Sequence, residues 1–224
     1  MKITWLGQAG LLFETANCKV MVDPYLSDSV SRLDVQKRRR IPVKEELFDL
    51  KPNVIAFTHN HLDHYDPETA DHFITAKSGV TVLSPISVWQ EVRQKGGNNN
   101  FVMFNTGTSW TEGDIRVTAV KAEHSDTNAI GVIIDDGMRK HYVTGDTLYN
   151  EKVFRELPDD IYAVFLPVNG AGNNMNLADA VRFCERVRPE FAVPIHWGML
   201  DDMKIHSFPY DRSIIPQIYE EIVF

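Results

Sequence analysis

Apolar and polar positions alternate over residues 2–6, 11–15 and 19–22, with breaks at 7–10 and 16–17. That period of two predicts a meander of three short strands. The pattern then lapses from Tyr25 to Pro42 into a polar loop carrying Arg32, Lys37, Arg38, Arg39 and Arg40. Apolar runs at 53–57, 80–83 and 101–104 predict further strands, and 115–122, 130–135, 140–144, 162–166 and 191–195 continue the series. Helical stretches are expected at 67–76, 86–94, 149–157 and 178–187. Asp66 is a suitable N-cap for the first of these, because Pro67 follows at the first helical position. No repeat, low-complexity tract or linker interrupts the order, so residues 1–224 read as one domain. Meander strands followed by alternating strands and helices predict an α/β (α+β) architecture of mixed sheet covered by helices.

Chemistry gathers at one kind of place, just past the carboxyl ends of predicted strands. Thr58-His59-Asn60-His61-Leu62-Asp63-His64 follows the strand at 53–57, His124 follows 115–122, Asp146 follows 140–144 and His196 follows 191–195. Ligand sites collect at such strand ends. So many imidazoles and carboxylates after an apolar run are costly to bury unless something satisfies them, and a divalent cation does so. His59 and His61, two apart, face one side of extended chain. His124 would complete a triad for one ion. Asp63 and His64 come after the chain turns and, with His196, suit a second ion. Asp146, on a glycine turn, is set to bridge the two. Three protein ligands per ion with a position left open is the pattern of a catalytic rather than a structural site.

Five imidazoles, two carboxylates and no thiolate suit two divalent ions, zinc first, with Mn2+ or Fe2+ also compatible. The two cysteines, Cys18 and Cys184, have neither metal nor redox spacing and read as small apolar fillers of a reducing, cytoplasmic setting. A net charge of −8 argues against a nucleic-acid partner. No apolar run reaches the ~20 residues of a membrane span. A homo-oligomer is compatible with the sequence but not indicated by it. His72 and His141 read as solvent-facing.

These motifs resemble the metallo-β-lactamase superfamily, through residues 58–64, His124, Thr144-Gly145-Asp146-Thr147 and Pro194-Ile195-His196-Trp197-Gly198. The resemblance implies a four-layer αβ/βα sandwich, the metallo-β-lactamase fold, with metals at one edge. Asp23-Pro24-Tyr25-Leu26-Ser27-Asp28-Ser29-Val30, Asp63-His64-Tyr65-Asp66-Pro67-Glu68-Thr69 and the stretch 169–176 look most like the branch of L-ascorbate-6-phosphate lactonase, which includes N-acyl-phosphatidylethanolamine phospholipase D. That branch keeps manganese beside zinc as a candidate. Redox di-iron members carry a carboxylate where His61 stands, so oxidoreductase chemistry is disfavoured.

The expected activity is hydrolysis of a lactone or other carboxylic ester by a metal-activated water, with Asp63, Asp146 and His196 as the catalytic set. Two divalent cations against two carboxylates leave the loaded site positive, which favours a small anionic substrate. Asp23 is expected to support a ligand histidine from behind. Substrate contacts are expected from Tyr25 and Arg38 on the long loop, from Asn169, Asn173 and Asn176 opposite, and from His206. The alternatives are a phosphodiesterase, including phospholipase D-like or nuclease action, and a metal- or ligand-binding protein without turnover.

Overall fold

Strands β1 (Lys2–Gly7), β2 (Gly10–Glu14) and β3 (Lys19–Val22) form the antiparallel meander that the alternation predicts. Ile3 pairs with Phe13, and Leu11 with Val22, so the apolar positions share a face. A computed structural model describes residues 1–224. Strands β4 (Val54–Ala56), β5 (Thr81–Ser84) and β6 (Asn100–Met103) join β3 in parallel and complete a six-stranded sheet in chain order. The second sheet repeats the scheme. Strands β7 (Ser109–Glu112), β8 (Ile115–Lys121), β9 (Ile130–Asp135) and β10 (Lys140–Val143) run antiparallel. Strands β11 (Ile161–Pro167) and β12 (Phe191–Ile195) then add in parallel.

Three apolar clusters give the layers. Trp5, Phe13, Val22 and Val54 of the first sheet meet Val117, Val132, Val143 and Phe165 of the second in one buried cluster between them. Ala70 and Phe73 of α1 (Pro67–Phe73) and Val88 and Val92 of α2 (Ile86–Val92) pack with Met21, Ile55 and Val82 on the outer face of the first sheet. Ala180, Phe183 and Cys184 of α3 (Leu177–Val187) pack with Tyr142, Val164 and Leu166 on the outer face of the second. Helix, sheet, sheet, helix is the four-layer sandwich. Parallel strands buried on both faces explain the unbroken apolar runs at β11 and β12. No helix is long and apolar enough to cross a membrane.

The carboxyl-terminal segment closes both sheets. Tyr219 N donates to Trp5 O at 2.7 Å and Ile222 N to Ile3 O at 2.8 Å, beside β1. Ala192 N donates to Arg212 O and Ile214 N to Ala192 O, each at 2.9 Å, beside β12. Unpaired strand edges are thereby covered.

Several expectations need correction. The helix at 149–157 is a single 3-10 turn, Val153–Glu156. Asn150 Oδ1 accepts from Lys152 N at 2.9 Å, and Pro158 holds Leu157 extended, so only one turn fits between. Helix α1 ends at Phe73 rather than near 76, because Thr75 and Ser78 bond each other and Thr75 N donates to Ser78 Oγ. Strand β7 was not foreseen; only Trp110 of its four residues is apolar, and it pairs on one side only, with β8. His141 is buried, at 2% exposure, because β10 is central and sets its ring among Phe13, Tyr162 and Phe224. His72 is exposed on α1.

Candidate metal centre

The site forms where six strands end. Gln8 follows β1, Asp23 follows β3, the 58–64 loop follows β4, His124 follows β8, Asp146 follows β10 and His196 follows β12. The histidine loop turns where His64 N and Tyr65 N both donate to His61 O, at 3.0 and 2.8 Å. Asp66 then starts α1 by accepting from Glu68 N and Thr69 N, and this cap fixes the loop's far end. Gly145 has φ +61°, and a Cβ there would stand 2.8 Å from Ile130 O and 3.0 Å from Thr58 Cβ. Only glycine lets the chain turn that tightly and aim Asp146 inward. Gln8, Asp23 and His196 also have positive φ, of 49°, 44° and 65°. Such conformations cost energy and recur at functional sites.

All seven residues drawn from the sequence converge in two groups. His59, His61, His124 and Asp146 form one, and Asp63, His64 and His196 the other; within each, the ligand atoms lie within 4.8 Å of one another. His124 Nε2 is 3.1 Å from His61 Nδ1. His64 Nε2 is 3.2 Å from His196 Nε2, and Asp63 Oδ2 is 3.3 Å from His196 Nε2. Asp146 stands between the groups. Its Oδ2 is 4.0 Å from His59 Nε2, and its Oδ1 is 3.2 Å from the Nε2 atoms of both His64 and His196.

Behind these atoms a second set of contacts fixes the rings. His64 Nδ1 donates to Asp23 Oδ2 at 2.8 Å, which leaves the Nε2 lone pair facing the group. Thr58 donates to Asp23 through N at 2.7 Å and through Oγ1 at 2.5 Å. His59 Nδ1 lies 3.0 Å from that hydroxyl, which accepts from it. His124 Nδ1 donates to Asn173 O at 3.2 Å. The Asn169 side-chain amide meets His196 Nδ1 at 3.0 Å. For His196 Nε2 to ligate, Nδ1 must carry the hydrogen, which calls for the carbonyl end of that amide here. Gln8 Nε2 donates to Asp63 Oδ2 at 2.8 Å and stands 3.2 Å from His196.

The charge balance is that of a cation site. Burial, reinforced by neighbouring His64, holds His59 well below the usual imidazole pKa. Burial also opposes protonation of His64, yet Asp146, Asp23 and Asp63 outweigh it and hold its pKa well above the ordinary value. His196 is raised in the same way, against burial, by Asp146 and Asp63. Burial would raise the carboxyl groups of Asp63 and Asp146, but the imidazoles around them keep both ionised, below the usual carboxylate range. His59 Nε2 is buried without any hydrogen-bond partner. A buried nitrogen left so costs about 1–3 kcal/mol, and a metal ion satisfies it. The donor set therefore fits divalent cations.

Substrate residues sort differently from expectation. A cavity of about 390 Å³ opens on the ligands and includes Asn169 among its lining residues. Tyr25 does not reach it: the ring is fully buried and its hydroxyl accepts from Val30 N. Arg38 lies along an adjoining groove that shares Lys37, Leu200 and Asp201 with the cavity, but it is absent from the cavity lining itself. Asn173 contributes its backbone carbonyl to His124, and Asn176 caps α3 by accepting from Asp179 N at 3.0 Å. His206 is exposed on the carboxyl-terminal segment, away from the cavity lining. Gln8, Thr58 and Asn174 were not foreseen. Gln8 lies in the turn at 7–10, where a polar residue is ordinary, and its burial depends on distant partners, with His196 N donating to its carbonyl at 3.0 Å and its side chain meeting Asp63.

Residues 19–197 match the family described as a beta-lactamase superfamily domain. A UPF0173 metal-dependent hydrolase of Archaeoglobus fulgidus is 33% identical, spanning 88% of this chain and 84% of its own. Another, from Methanosarcina mazei, is 27% identical across 100% of this chain and 94% of that one. Among solved structures, a metallo hydrolase from Ignicoccus hospitalis superposes with a TM-score of 0.77 at 19% identity, covering 100% of this chain and 97% of that one. That likeness concerns the fold.

Proposed function

The chain belongs to the beta-lactamase superfamily, and from that premise we propose a metal-dependent hydrolase of a small anionic lactone or other carboxylic ester. One observation carries the reading: His59 Nε2 is orphaned and buried in a cluster with His61, His124 and Asp146, beside a second cluster of Asp63, His64 and His196. His59, His61 and His124 would hold one cation, Asp63, His64 and His196 a second, with Asp146 shared. Zinc suits these donors best, and manganese or iron next. A divalent pair bound there supplies Lewis acidity to a substrate oxygen and acidifies water.

The chain's own groups do the rest. Asp63 lines the cavity and keeps its side chain 21% exposed, more open than Asp146 at 5%. Its carboxylate can accept the proton of an attacking water and return it to the leaving oxygen. Gln8 Nε2 holds that carboxylate in place at 2.8 Å. Asp146, ionised and within reach of His59, His64 and His196, would help to hold both cations. Asp23 fixes the His64 ring and takes no part in proton transfer to substrate.

The test is a panel of lactones, carboxylic esters and bis-nitrophenyl phosphate, assayed on protein reloaded with zinc or manganese after chelation. Ester or lactone turnover that chelation abolishes and metal restores supports the reading. Turnover of the phosphodiester alone overturns the ester assignment, and failure to bind metal overturns the whole.

A further inference from the structure

The two sheets present four edges between them, at β1, β6, β7 and β12, and three of these are covered. The carboxyl-terminal segment bonds along β1 and β12. At β6, Trp89 Nε1 donates to Phe101 O at 3.1 Å across the edge. The edge of β7 is bare. Ala119 N donates to Thr108 O at 2.9 Å, so by the alternation of an antiparallel pair Trp110 and Glu112 turn their backbone groups to β8. Ser109 and Thr111 then turn theirs outward, and both residues are exposed. The strand holds no lysine or proline of the kind that blunts an open edge. Its hairpin is also anchored: Thr15 Oγ1 donates to Asp114 Oδ1 at 2.6 Å, and Asn17 Nδ2 to Asp114 Oδ2 at 3.2 Å.

Charge and register identify what fits this edge. Residues 96–111 contain no charged side chain, in a chain of which 24% are charged and whose net charge is −8. Two copies of so acidic a chain repel each other unless they meet through such a stretch. A strongly charged partner would find no countercharge there. Antiparallel pairing of β7 with itself sets Ser109 opposite Thr111 of the second copy, a hydrogen-bonded pair formed twice about a twofold axis. Trp110 meets its own copy at the intervening position, where facing side chains come closest. Its ring is half-buried against the core between the sheets, and its Nε1 already donates to Glu112 Oε2 at 3.1 Å. The ring therefore brings apolar surface to the contact and no unpaired polar group. Glu112 faces Thr108 of the second copy, so no like charges oppose each other.

We propose that β7 is the surface through which two copies of this chain associate, by antiparallel pairing centred on Trp110. One sheet then runs on across both copies. Four residues of edge span only about 13 Å. The contact is smaller than a standard interface, so the dimer is weak, with a Kd on the order of 10 µM.

Sedimentation velocity on the full chain from about 1 to about 200 µM brackets that affinity and should show monomer giving way to dimer. Ser109→Lys with Thr111→Lys places like charges opposite each other twice, as does Ser109→Glu with Thr111→Glu, and each double variant alone should remain monomeric. Both side chains are exposed, so the variants should fold, which circular dichroism checks. Mixed in equal amounts, the lysine and glutamate variants should form a heterodimer, because this register sets lysine opposite glutamate. Thr111→Pro, which removes an outward N–H from an edge strand, gives an uncharged control and should also weaken the dimer. A chain monomeric throughout that range overturns the proposal. So does a dimer that the lysine pair and Thr111→Pro leave intact, or a mixture that fails to associate.

Discussion

Asp23 Oδ2 lies 2.8 Å from Nδ1 of His64, and both side chains are fully buried. The carboxylate also takes two hydrogen bonds from Thr58, so it orients one ligand ring directly and His59 through the hydroxyl. Partners of this kind contribute about 10–100-fold to metal affinity. Asp23→Asn should weaken metal binding by that order while retaining all seven ligands. Competition against a chelating dye measures it; unchanged affinity would remove Asp23 from the support of the centre.

Asp63→Ala and Asp146→Ala should each lower kcat by about 10²-fold or more, the range of a lost general base. They should differ in metal content. Asp146 approaches both groups, at 4.0 and 3.2 Å, so its loss should cost metal from both. Asp63 approaches only the second group. Elemental analysis of the two variants checks the contrast, and equal losses would contradict the shared role of Asp146.

Gly145→Ala should destabilise the fold by roughly 1–3 kcal/mol, since it adds a Cβ at a positive φ against backbone. The clash is with Ile130 O at 2.8 Å and with Thr58, which carries the Asp23 contacts. Activity should fall further than stability accounts for at temperatures where the variant stays folded. Urea denaturation alongside kinetics separates the two effects.

His141 gives a pH dependence remote from the centre. Burial, with help from the amino terminus and Arg139, pushes its pKa down from 6.5 to about 4, although Asp136 opposes this. The unfolded imidazole takes a proton below pH 6.5, whereas the folded one stays neutral until about pH 4. The unfolded state therefore binds more protons across that window, and stability is lost as pH falls through it, by up to ~3 kcal/mol. His141→Phe should flatten this slope in urea melts between those pH values. A slope unchanged by the substitution would exclude His141 as its source.

Much of the candidate centre was legible in the chain because its candidate ligands are short-range features. Four of the seven lie within residues 59–64, and the others each follow an apolar strand, so spacing and strand ends together located them. Asp66 and Pro67 likewise announced α1 through local capping chemistry. Where local pattern was weak the reading failed. Strand β7 has one apolar residue in four, and the supposed helix at 149–157 met a competing turn at Asn150 and a proline at 158.

The sequence by itself determined every strand except β7, the candidate ligand chemistry and several of the turns, since each depends on a few adjacent residues. Tertiary structure alone decided which polar side chains those strand ends bring face to face. It buried His141 by making β10 a central strand, and drew Gln8 under Asp63 by closing β1 against the His196 turn. It also spent three of the loop's cations on fixed contacts and left Lys37 at the cavity. Those outcomes turn on long-range packing, where the free energy of a side chain depends on neighbours far away along the chain.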